Sequence, residues 1–559
     1  MTRASDYPPP FNAREFVAEP TDPVDERIEV GVLIVGAGPA GLACAIRLGQ
    51  LLAEHPDVAE RLGEVPVAIV DKGKQPGSHL LSGAVVNPRP LRRLGFRLED
   101  LPSYGPVHNE AVYVLTRRNA LRIPPPPTMR NHGNWIFSLS QLGRWLAERA
   151  EEGGAMVLPE TAAEKLLVSH GRVVGVRTGD KGLNREGEPM GNAEPGSDLV
   201  AKVTVLAEGT QGHLTGVALD TFGLRGDEPQ VWELGVKEIW KVPRAPRGVI
   251  HTMGWPLRTR ARYREFGGSF IYPMGDDMVT IGLVVGLDYR DAELSVHDLL
   301  QELKTHPRVR RILEGGERVQ WGAKTIPEGG FVALPRRFHA PGLLLCGDGV
   351  GLVNVPALKG IHYAVESGRL AAEAAWRSLG RGASSRDALA SYDESLRSSF
   401  IWSDLREVRN MRQAFGKGFV MGGALASAMT ATKGRFPRGD SPTERDAEQS
   451  LLSTDRAASY PAPDGVLTFD KLSSVFASGN RTRDDQPGHI RIERRVPRDV
   501  AEMWVRMCPA AVYRTEAAAE GLVTVELAPS NCVQCGAITA KGGRLTPPEG
   551  GSGPEYSLT

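Results

Sequence analysis

Three cysteines near the C-terminus have the type and spacing of metal ligands. Cys532 and Cys535 form a C-x2-C pair, and Cys508 stands upstream of them, directly before a proline. Thiolates in such patterns hold iron–sulfur clusters. Zinc is the alternative, but no histidine follows His489 to complete a tetrahedral set. Because three cysteines are one short of either full set, incidental buried thiols remain an open interpretation.

A glycine motif near the N-terminus has the spacing of a dinucleotide-binding turn. Gly36, Gly38 and Gly41 form G-x-G-x-x-G between a predicted strand and a predicted helix. These glycines permit a tight turn, a close approach to a pyrophosphate and close helix–strand packing, while the helix N-terminus attracts phosphate. Asp71, at the end of the next predicted strand, is a candidate for a ribose hydroxyl, although it lies further from Gly41 than the usual ~20 residues. The alternative is a glycine-rich turn without a ligand.

Two distant segments favour FAD over a nicotinamide cofactor. A hairpin around "GRVVGVRTG" precedes "VLAEG", and "LLLCGDGVG" precedes a long helix. Asp348 would accept hydrogen bonds from the ribityl chain, and the following helix would direct its N-terminal dipole at the flavin ring. The alternative for Asp348 is a helix-capping turn acid.

The sequence thus predicts a cofactor site and no catalytic acid or base. The predicted FAD-binding residues are Gly36, Gly38, Pro39, Ala40, Gly41, Asp71, Lys72, Gly347, Asp348, Lys359 and Gly360. No second strand–G-x-G-x-x-G–helix unit follows, so a separate nicotinamide domain is not expected. The electrons are therefore predicted to come from a protein or an organic substrate.

Composition excludes several classes of protein. The 559 residues are 41% hydrophobic, and Lys plus Arg equals Asp plus Glu at 67 each, so no long-range positive field attracts nucleic acid. We expect no signal peptide, no transit peptide and no transmembrane helix. Five cysteines are too few for a disulfide framework, and their clustering suggests metal in a reducing compartment.

The remaining pattern predicts the elements that position these residues. Strands at 30–35 and 65–70 flank a helix from Pro39 to about Leu52, which is a βαβ unit. Further predicted elements are a hairpin at 165–179, a long loop at 180–198, an antiparallel sheet within 226–330, a helical region at 385–412 and a polar linker at 438–450.

Many ordered segments resemble the electron-transfer flavoprotein:ubiquinone oxidoreductase family. They include "GAGPAGLACAIRLGQLLAEH", "GSHLLSGAVVNP", "HTMGWPL", "GGSFIYPM", "NVPALKGIHYAVESGRLAAE", "CPAAVY" and "NCVQC". The resemblance implies an α/β plus α+β protein with a Rossmann-like FAD domain of the glutathione-reductase type, an interwoven quinone-binding β-sheet domain and a C-terminal ferredoxin-like domain. The expected bounds are a polar tail at 1–28, the FAD domain at 29–225 and 320–410, the quinone domain at 226–319, a membrane-contact segment at 411–440 and the iron–sulfur domain at 441–559.

The resemblance also implies a quinone site and a membrane surface. The quinone residues map to Gly267 and Gly268, whose bare backbone would let a flat ring approach; the alternative is an ordinary glycine pair at a strand entrance. The membrane-dipping segments map to Gln75 to about Leu94 and to Gly416 to Arg435. Small residues in the second segment would anchor weakly, and "ALASAM" could equally be a core helix face.

One position departs from the family pattern. The family's cluster run is C-x2-C-x2-C, and here Ile538 occupies the third cysteine position. Cys508, Cys532 and Cys535 match the other ligands of the 4Fe-4S cluster that the resemblance implies. Three outcomes stay open: a 3Fe-4S cluster, a 4Fe-4S cluster with one non-cysteine ligand, or no cluster.

The expected function follows from the resemblance. Reduced electron-transfer flavoprotein passes electrons through FAD, and through an iron–sulfur cluster if one is bound, to membrane ubiquinone or menaquinone. The protein is expected to lie as a peripheral, monotopic protein on the cytoplasmic face of the inner or cell membrane, without nucleic-acid partners. The alternatives are an FAD-dependent monooxygenase or polyprenyl reductase on the same scaffold, and a non-enzymatic FAD electron carrier.

Overall fold

The computed structural model describes residues 2–21, 27–380, 389–517 and 521–559, and its largest sheet carries the glycine motif. The strands of this first sheet, in spatial order, are Val17–Ala18, Ala163–Ser169, Arg172–Thr178, Asp198–Leu206, Arg27–Val35, Val67–Val70 and Met156–Leu158. Leu343–Leu345 also pairs with Asp198–Leu206, and His339–Ala340 pairs with Leu343–Leu345. The strands around Arg27–Val35 run parallel, as the βαβ pattern predicts.

Helices pack on the first sheet, on the second sheet described below and within the C-terminal segment. The helices of the described residues are Pro39–Glu54, Pro56–Arg61, Arg89–Arg93, Leu139–Glu152, His213–Thr221, Val296–Lys304, Pro307–Leu313, Ile361–Gly380, Ser391–Ser398, Phe400–Glu407, Met411–Ala414, Phe419–Ala431, Lys471–Ala477, Arg498–Met507 and Ala537–Ala540. The first of these begins with proline at its first position, where the missing N–H is not needed. It crosses Ile361–Gly380 so closely that a Cβ on Gly368 would lie 1.9 Å from the Ala40 carbonyl oxygen.

A second, mostly antiparallel sheet lies beside the first. Its strands, in spatial order, are Glu317–Pro327, Trp232–Lys241, Met278–Gly286, Gly267–Pro273, Val249–Gly254, Glu110–Leu115 and Ala120–Ile123. Two of these strands precede residue 226 in sequence, and Glu317–Pro327 runs past residue 319. The sheet therefore draws on more of the chain than the range 226–319 that the sequence assigned to it.

The C-terminal segment packs on the second sheet. Its strands are Ile490–Arg491 with Arg544–Leu545, and Arg495–Pro497, Leu522–Leu527 and Tyr513–Ala517 in one three-stranded sheet. Trp504 from the helix Arg498–Met507, the cysteine side chains Cys508 and Cys532, and Trp240 and Trp321 from the second sheet belong to one hydrophobic core. The cysteine segment and the second sheet therefore stabilise each other.

Three expectations differ from the structure. The predicted loop at 180–198 contains the paired strands Lys181–Leu183 and Pro189–Glu194. The sequence of this hairpin has no apolar alternation that would predict strands. Contacts from the C-terminal segment stabilise it instead: the Gly182 N–H donates to Glu549 Oε2 at 3.1 Å, and Arg483 donates to the Leu183 carbonyl at 2.6 Å.

The N-terminal residues were expected to form a polar tail, and part of this segment packs on the body instead. Phe16 is 3% exposed and meets the His213 ring edge-on at 4.4 Å, and Val17–Ala18 joins the first sheet. The predicted helical region at 385–412 divides into short helices from Ser391 onward, and its residues 385–388 lie outside the described residues. One more small sheet pairs Val85–Val86, Trp135–Phe137 and Ser103–Pro106.

Candidate functional site

A cavity of about 1060 Å³ lies between the two sheets and extends from the glycine motif to the glycine pair of the second sheet. It begins at the carboxyl ends of the parallel strands, where open α/β sheets bind their ligands. Val35 and Val70 line one end, and Gly267 and Gly268 line the other. The chain thus brings two predicted sites, more than 200 positions apart in sequence, to one continuous space.

The glycine turn has the geometry that its motif requires. Gly36 has φ +107°, and a Cβ there would lie 2.5 Å from the Ala207 carbonyl oxygen. A Cβ on Gly41 would lie 2.0 Å from the Gly36 carbonyl oxygen, whereas one on Gly38 would meet nothing closer than 3.7 Å. Gly36 and Gly41 are therefore required by the fold, and Gly38 leaves open space where a pyrophosphate would approach. Gly38, Pro39 and Ala40 line the cavity, and Gly41 lies behind them.

Asp71 and Lys72 lie at the end of the next parallel strand and line the cavity. The Asp71 carboxylate accepts the Ala37 N–H at 2.8 Å and the Gly73 N–H at 2.7 Å, so it holds the glycine turn in place. A carboxylate has about four acceptor sites, and two remain for a ligand hydroxyl. Burial raises the pKa of Asp71 and lowers the pKa of Lys72, and each charge favours the other.

Asp348 is the strongest sign in this structure that a polar ligand belongs in the cavity. Gly347, Asp348 and Gly360 line it, and Asp348 Oδ1 is buried without a hydrogen-bond partner. Burial raises the pKa of this carboxyl to about 6. An unpartnered buried carboxyl oxygen is costly unless a ligand donates to it, so the residues fit the hydroxyl-rich chain of FAD. The fourth residue predicted here, Lys359, does not line the cavity: its Nζ donates to the Ala357 carbonyl at 3.1 Å.

Some cavity residues were missed by the sequence analysis. Glu208 follows the strand Asp198–Leu206 and lines the cavity, and its carboxylate accepts the N–H groups of Leu214 and Thr215 at 3.0 and 2.6 Å. The signal that could have found Glu208 is its place directly after a parallel strand, at the same sheet edge as the glycine turn. His79 also lines the cavity and contacts the Ser552 carbonyl at 3.1 Å, a pairing that no local pattern indicates.

The glycine pair of the second sheet is explained first by the sheet itself. Gly267 has φ +143°, and a Cβ there would lie 2.0 Å from the Val284 carbonyl oxygen. A Cβ on Gly268 would lie 2.6 Å from the Thr252 carbonyl oxygen. Both glycines are therefore needed for strand packing. Their backbone nevertheless lines the cavity next to Phe270, so a flat ring can reach it.

One helix forms the mouth of the cavity. Val420, Gly423 and Ser427 of the helix Phe419–Ala431 line the cavity, yet Val420 is 84% exposed and Met421 is 57% exposed. The helix therefore contributes both to the cavity and to an apolar protein surface. No helix in the described ranges combines the length and the apolar character needed to span a bilayer.

The three predicted cysteines lie in one buried region. Cys508 Sγ accepts the Val512 N–H at 3.5 Å, and Cys532 Sγ accepts the Gln534 N–H at 3.4 Å. Burial raises the pKa of Cys532 and of Cys535 to about 12, and the nearby thiols add to both shifts. Within the described ranges, no three His, Cys, Asp or Glu side chains converge on a point where a single metal ion would bind. Three thiols with backbone donors at sulfur have the chemistry of iron–sulfur ligation.

The cysteine loop forms part of the cavity wall. Gln534, between the cysteines of the pair, and Gly536, after them, line the cavity together with Lys324 and Thr325 of the second sheet. Lys324 Nζ donates to the Gln534 carbonyl at 3.1 Å, and the Thr325 N–H donates to the Cys535 carbonyl at 2.7 Å. A redox centre on these cysteines would therefore adjoin the cavity.

The position without a cysteine is fully apolar. Ile538 is 3% exposed within the helix Ala537–Ala540, and its Cγ1 lies 2.6 Å from where a Cβ on Gly543 would stand. Ile538 therefore packs against the Gly543 backbone and offers no donor atom to a metal.

Two family models match the chain. The model described as "ETF-QO, ubiquinone-binding" matches residues 232–326, which include most of the second sheet. The model described as "Electron transfer flavoprotein-ubiquinone oxidoreductase, 4Fe-4S" matches residues 465–557, which include the three cysteines.

Curated relatives match nearly the whole chain. The protein named "Electron transfer flavoprotein-ubiquinone oxidoreductase, mitochondrial" of Arabidopsis thaliana is 39% identical over 564 residues, covering 96% of this chain and 86% of that protein. The "Electron transfer flavoprotein-ubiquinone oxidoreductase" of Pseudomonas aeruginosa is 38% identical over 561 residues, covering 95% of this chain and 99% of that protein.

A solved structure shares the fold. The geranylgeranyl bacteriochlorophyll reductase-like protein of Thermoplasma acidophilum aligns with a TM-score of 0.55 at 16% identity, covering 73% of this chain and 92% of that chain. At that identity the similarity shows the fold alone, a mixed α/β architecture.

Proposed function

The chain belongs to the electron transfer flavoprotein-ubiquinone oxidoreductase family, and from that premise we propose how its own residues perform the family's reaction. It is a flavin-dependent oxidoreductase with FAD and an iron–sulfur cluster, and it passes electrons from reduced electron-transfer flavoprotein to ubiquinone. The observation that supports our assignment of residues is the single cavity, which adjoins the glycine turn, the cysteine loop and the glycine pair of the second sheet.

The glycine turn and two carboxyl groups bind FAD in this proposal. Gly36 and Gly38 with the start of the helix at Pro39 bind the pyrophosphate, Asp71 binds the ribose, and Asp348 accepts from the ribityl chain. FAD, when bound, supplies the capacity to take up single electrons and release them as a pair. The protein's own task is to orient the cofactor and keep its environment dry.

Cys508, Cys532 and Cys535 bind the cluster. Because Ile538 offers no donor, we propose that one iron position lacks a cysteine ligand, so the cluster is a 3Fe-4S cluster or a 4Fe-4S cluster with a non-cysteine ligand. The supporting observation is the buried, apolar packing of Ile538. Lys324, whose pKa burial lowers to about 8, lies between the cysteine loop and the cavity and adds positive charge there when protonated.

The second sheet binds the quinone, either ubiquinone or menaquinone, against Gly267 and Gly268. We keep the expected domain bounds as part of this proposal, and we add the strands Glu110–Leu115 and Ala120–Ile123 to the quinone domain because they belong to the same sheet. The quinone enters from the membrane through the mouth formed by Phe419–Ala431, whose side chains line the cavity.

The protein contacts the membrane peripherally in this proposal, on the cytoplasmic face. Val420 and Met421 supply the exposed apolar surface, and the exposed Lys417 and Lys433 stand at either end of their helix. Apolar side chains enter the lipid boundary, while the lysines attract anionic lipid headgroups.

Quinone-dependent turnover tests the proposed function. Purified protein is mixed with reduced electron-transfer flavoprotein and a soluble ubiquinone analogue, and quinol formation is followed spectrophotometrically. We expect turnover that requires both the flavoprotein and the quinone. NADPH replaces the flavoprotein in the control and is expected to give no turnover. Rapid NADPH oxidation without quinone reduction would contradict the proposal in favour of a monooxygenase.

A vesicle experiment tests the membrane surface. The double variant Val420→Asp, Met421→Asp is expected to bind vesicles of mixed neutral and anionic phospholipid at least about tenfold more weakly, because burying one such side chain contributes about 1.5–3 kcal/mol. Co-sedimentation with the vesicles measures the effect.

The matched control is Val466→Asp, which changes a 72% exposed valine in the C-terminal segment. It is expected to leave vesicle binding unchanged. Equal weakening by both variants would show that general charge, rather than the helix at the mouth, governs binding.

A further inference from the structure

A second pocket, separate from the cavity between the two sheets, has arginine as its main wall residue. Its volume is about 370 Å³, and its wall consists of Asn87, Pro88, Arg89, Arg92, Arg93 and Gly133. All three arginines are exposed, and none of these six residues lines the cavity between the sheets. The pocket is therefore a distinct space in which positive charge is concentrated.

Two of the arginines are held on one aromatic ring. The helix Arg89–Arg93 places Arg89 and Arg93 four positions apart, on one face. Their guanidinium carbons lie 4.8 and 5.4 Å from the centroid of the Phe400 ring. Like charges at this spacing repel each other, and the ring stabilises both of them. The two guanidinium groups are thus held side by side at the pocket wall.

The carboxyl groups of the protein balance only part of this charge. Glu366 Oε1 lies 2.5 Å from Arg93 Nη1, and the same oxygen pairs with Arg369 at 3.0 Å. Within the described ranges, no carboxylate forms an ion pair with Arg89 or Arg92. One shared carboxylate therefore serves three arginines of the pocket.

Two further carboxyl groups act on the arginines only from a distance. Asp404 acts on Arg89 electrostatically without an ion pair between them. Glu99 acts on Arg92, but its ion pair, at 2.5 Å, is with Arg97. The pocket therefore keeps positive charge that a bound anion would neutralise.

The pocket lies close to an opening of the cavity between the sheets. Residues 126–129 line that cavity, and Gly133, four positions further on, lines the arginine pocket, a separation of at most about 14 Å along extended chain. On another side, the Phe400 ring lies 6.1 Å from the ring of His362, which follows Leu358 by four positions. Leu358 lines the cavity and is 45% exposed, so the cavity opens there. Positive charge thus lies near an exposed apolar side chain.

Phosphate is the anion that this arrangement fits. Guanidinium groups bind phosphate oxygens through two parallel N–H donors, which a lysine cannot offer. A pocket of this volume has room for a phosphate with a small organic group attached. Basic pockets beside apolar surface bind the headgroups of anionic lipids.

We propose that Arg89, Arg92 and Arg93 bind an anionic phosphate group, which the headgroup of a membrane phospholipid such as phosphatidylglycerol supplies. Free inorganic phosphate is the other source of the same chemistry. This inference rests on the membrane contact in the proposed function. It adds a headgroup site to the apolar contact of Val420 and Met421.

Vesicle binding by the full-length protein with its cofactors tests the site. Wild type and the double variant Arg89→Gln, Arg92→Gln are co-sedimented with vesicles of phosphatidylcholine alone or of equal parts phosphatidylcholine and phosphatidylglycerol. We expect the variant to bind the anionic vesicles about 30-fold more weakly, the loss typical of two arginines at an anionic surface, and to bind the neutral vesicles like wild type. Arg92→Gln leaves the Phe400 contacts and the Glu366 pair intact, so it covers the case in which the double variant does not fold. It is expected to bind the anionic vesicles about fivefold more weakly.

Two matched variants separate a phosphate site from general positive charge. Arg495→Gln, Arg498→Gln removes the same charge from exposed positions of the C-terminal segment and is expected to bind like wild type. Arg89→Lys, Arg92→Lys keeps the charge but loses the parallel donors of each guanidinium group, so we expect it to bind the anionic vesicles more weakly than wild type. Equal weakening by the two double glutamine variants overturns the site. A double lysine variant that binds like wild type also overturns it.

Calorimetry identifies the source of the phosphate. Wild type and the variant Arg89→Gln, Arg92→Gln are titrated with inorganic phosphate and with glycerol phosphate. We expect wild type to bind both anions and the variant to bind neither, and a preference of wild type for the anionic vesicles then identifies the lipid. Phosphate binding that the variant loses, without a preference for the anionic vesicles, identifies free phosphate as the ligand. An unchanged variant in both measurements overturns the inference.

Failure of the inference and failure of the proposed function give different results. If Val420→Asp, Met421→Asp binds both kinds of vesicle like wild type, the proposed membrane contact is wrong, and the calorimetry still tests the arginines. If that variant loses binding while Arg89→Gln, Arg92→Gln keeps it and still binds phosphate, the arginine site alone is wrong. Slower reduction of the arginine variant by electron-transfer flavoprotein, with unchanged vesicle and phosphate binding, would indicate a protein-docking surface and overturn the inference.

Discussion

Replacing Gly41 with alanine abolishes FAD binding. A Cβ at this position would lie 2.0 Å from the Gly36 carbonyl oxygen and 3.0 Å from Ile34 Cγ2, and the nearer of these is backbone that cannot turn aside. The helix Pro39–Glu54 must then move away from the strand Arg27–Val35, which we expect to destabilise the fold by about 1–3 kcal/mol. The yellow absorbance of the purified protein and its nucleotide content after boiling measure the loss.

The control for Gly41→Ala is Gly380→Ala. Gly380 ends the helix that packs on Pro39–Glu54, and a Cβ there meets nothing within 4 Å. This variant is expected to keep its full FAD content. Gly41→Ala with wild-type FAD content would contradict the role of the glycine turn.

Replacing Cys532 with serine removes the iron–sulfur cluster. The side chain is 7% exposed, and its sulfur is one of three thiols available in the described part of the C-terminal segment. Serine is a poor ligand for iron in a buried site, and two thiols are too few to hold a cluster. Iron and sulfide analysis of anaerobically purified protein is expected to fall from near-stoichiometric to background.

Low-temperature electron paramagnetic resonance of the wild type identifies the cluster in the same experiment. A signal in the oxidised protein indicates three irons, and a signal that develops only after reduction indicates four. Cys44→Ser, a buried thiol in the helix Pro39–Glu54, is the matched control and is expected to retain its iron. Iron retained by Cys532→Ser would contradict the ligand assignment.

Local patterns predicted the glycine turn, Asp71 and Asp348, which the structure brings to one cavity, and their binding of FAD stays a prediction. The glycine turn, its flanking strand and its helix are set by residues within one βαβ unit, so spacing alone indicates them. Asp348 was predicted from a separate local pattern, its position at the end of a buried strand. Lys359 was predicted beside it, but its side chain turns back to the Ala357 carbonyl, a rotamer choice that no pattern encodes.

Contacts between segments that are distant in sequence could not be predicted from local sequence patterns. The hairpin at Lys181–Leu183 was predicted as a loop because its partners, Arg483 and Glu549, come from the C-terminal segment. The positive φ of Gly267 likewise follows from the neighbouring strand, which spacing does not reveal.

The second sheet and the cysteine segment share one hydrophobic core, and the Thr325 N–H is bonded to the Cys535 carbonyl. Losing the cluster would thus loosen the wall that carries the proposed quinone site. In iron-starved cells we expect fewer competent molecules rather than a full complement of slower ones. Iron supply would then determine how much of this protein survives proteolysis, in addition to the turnover rate of each molecule.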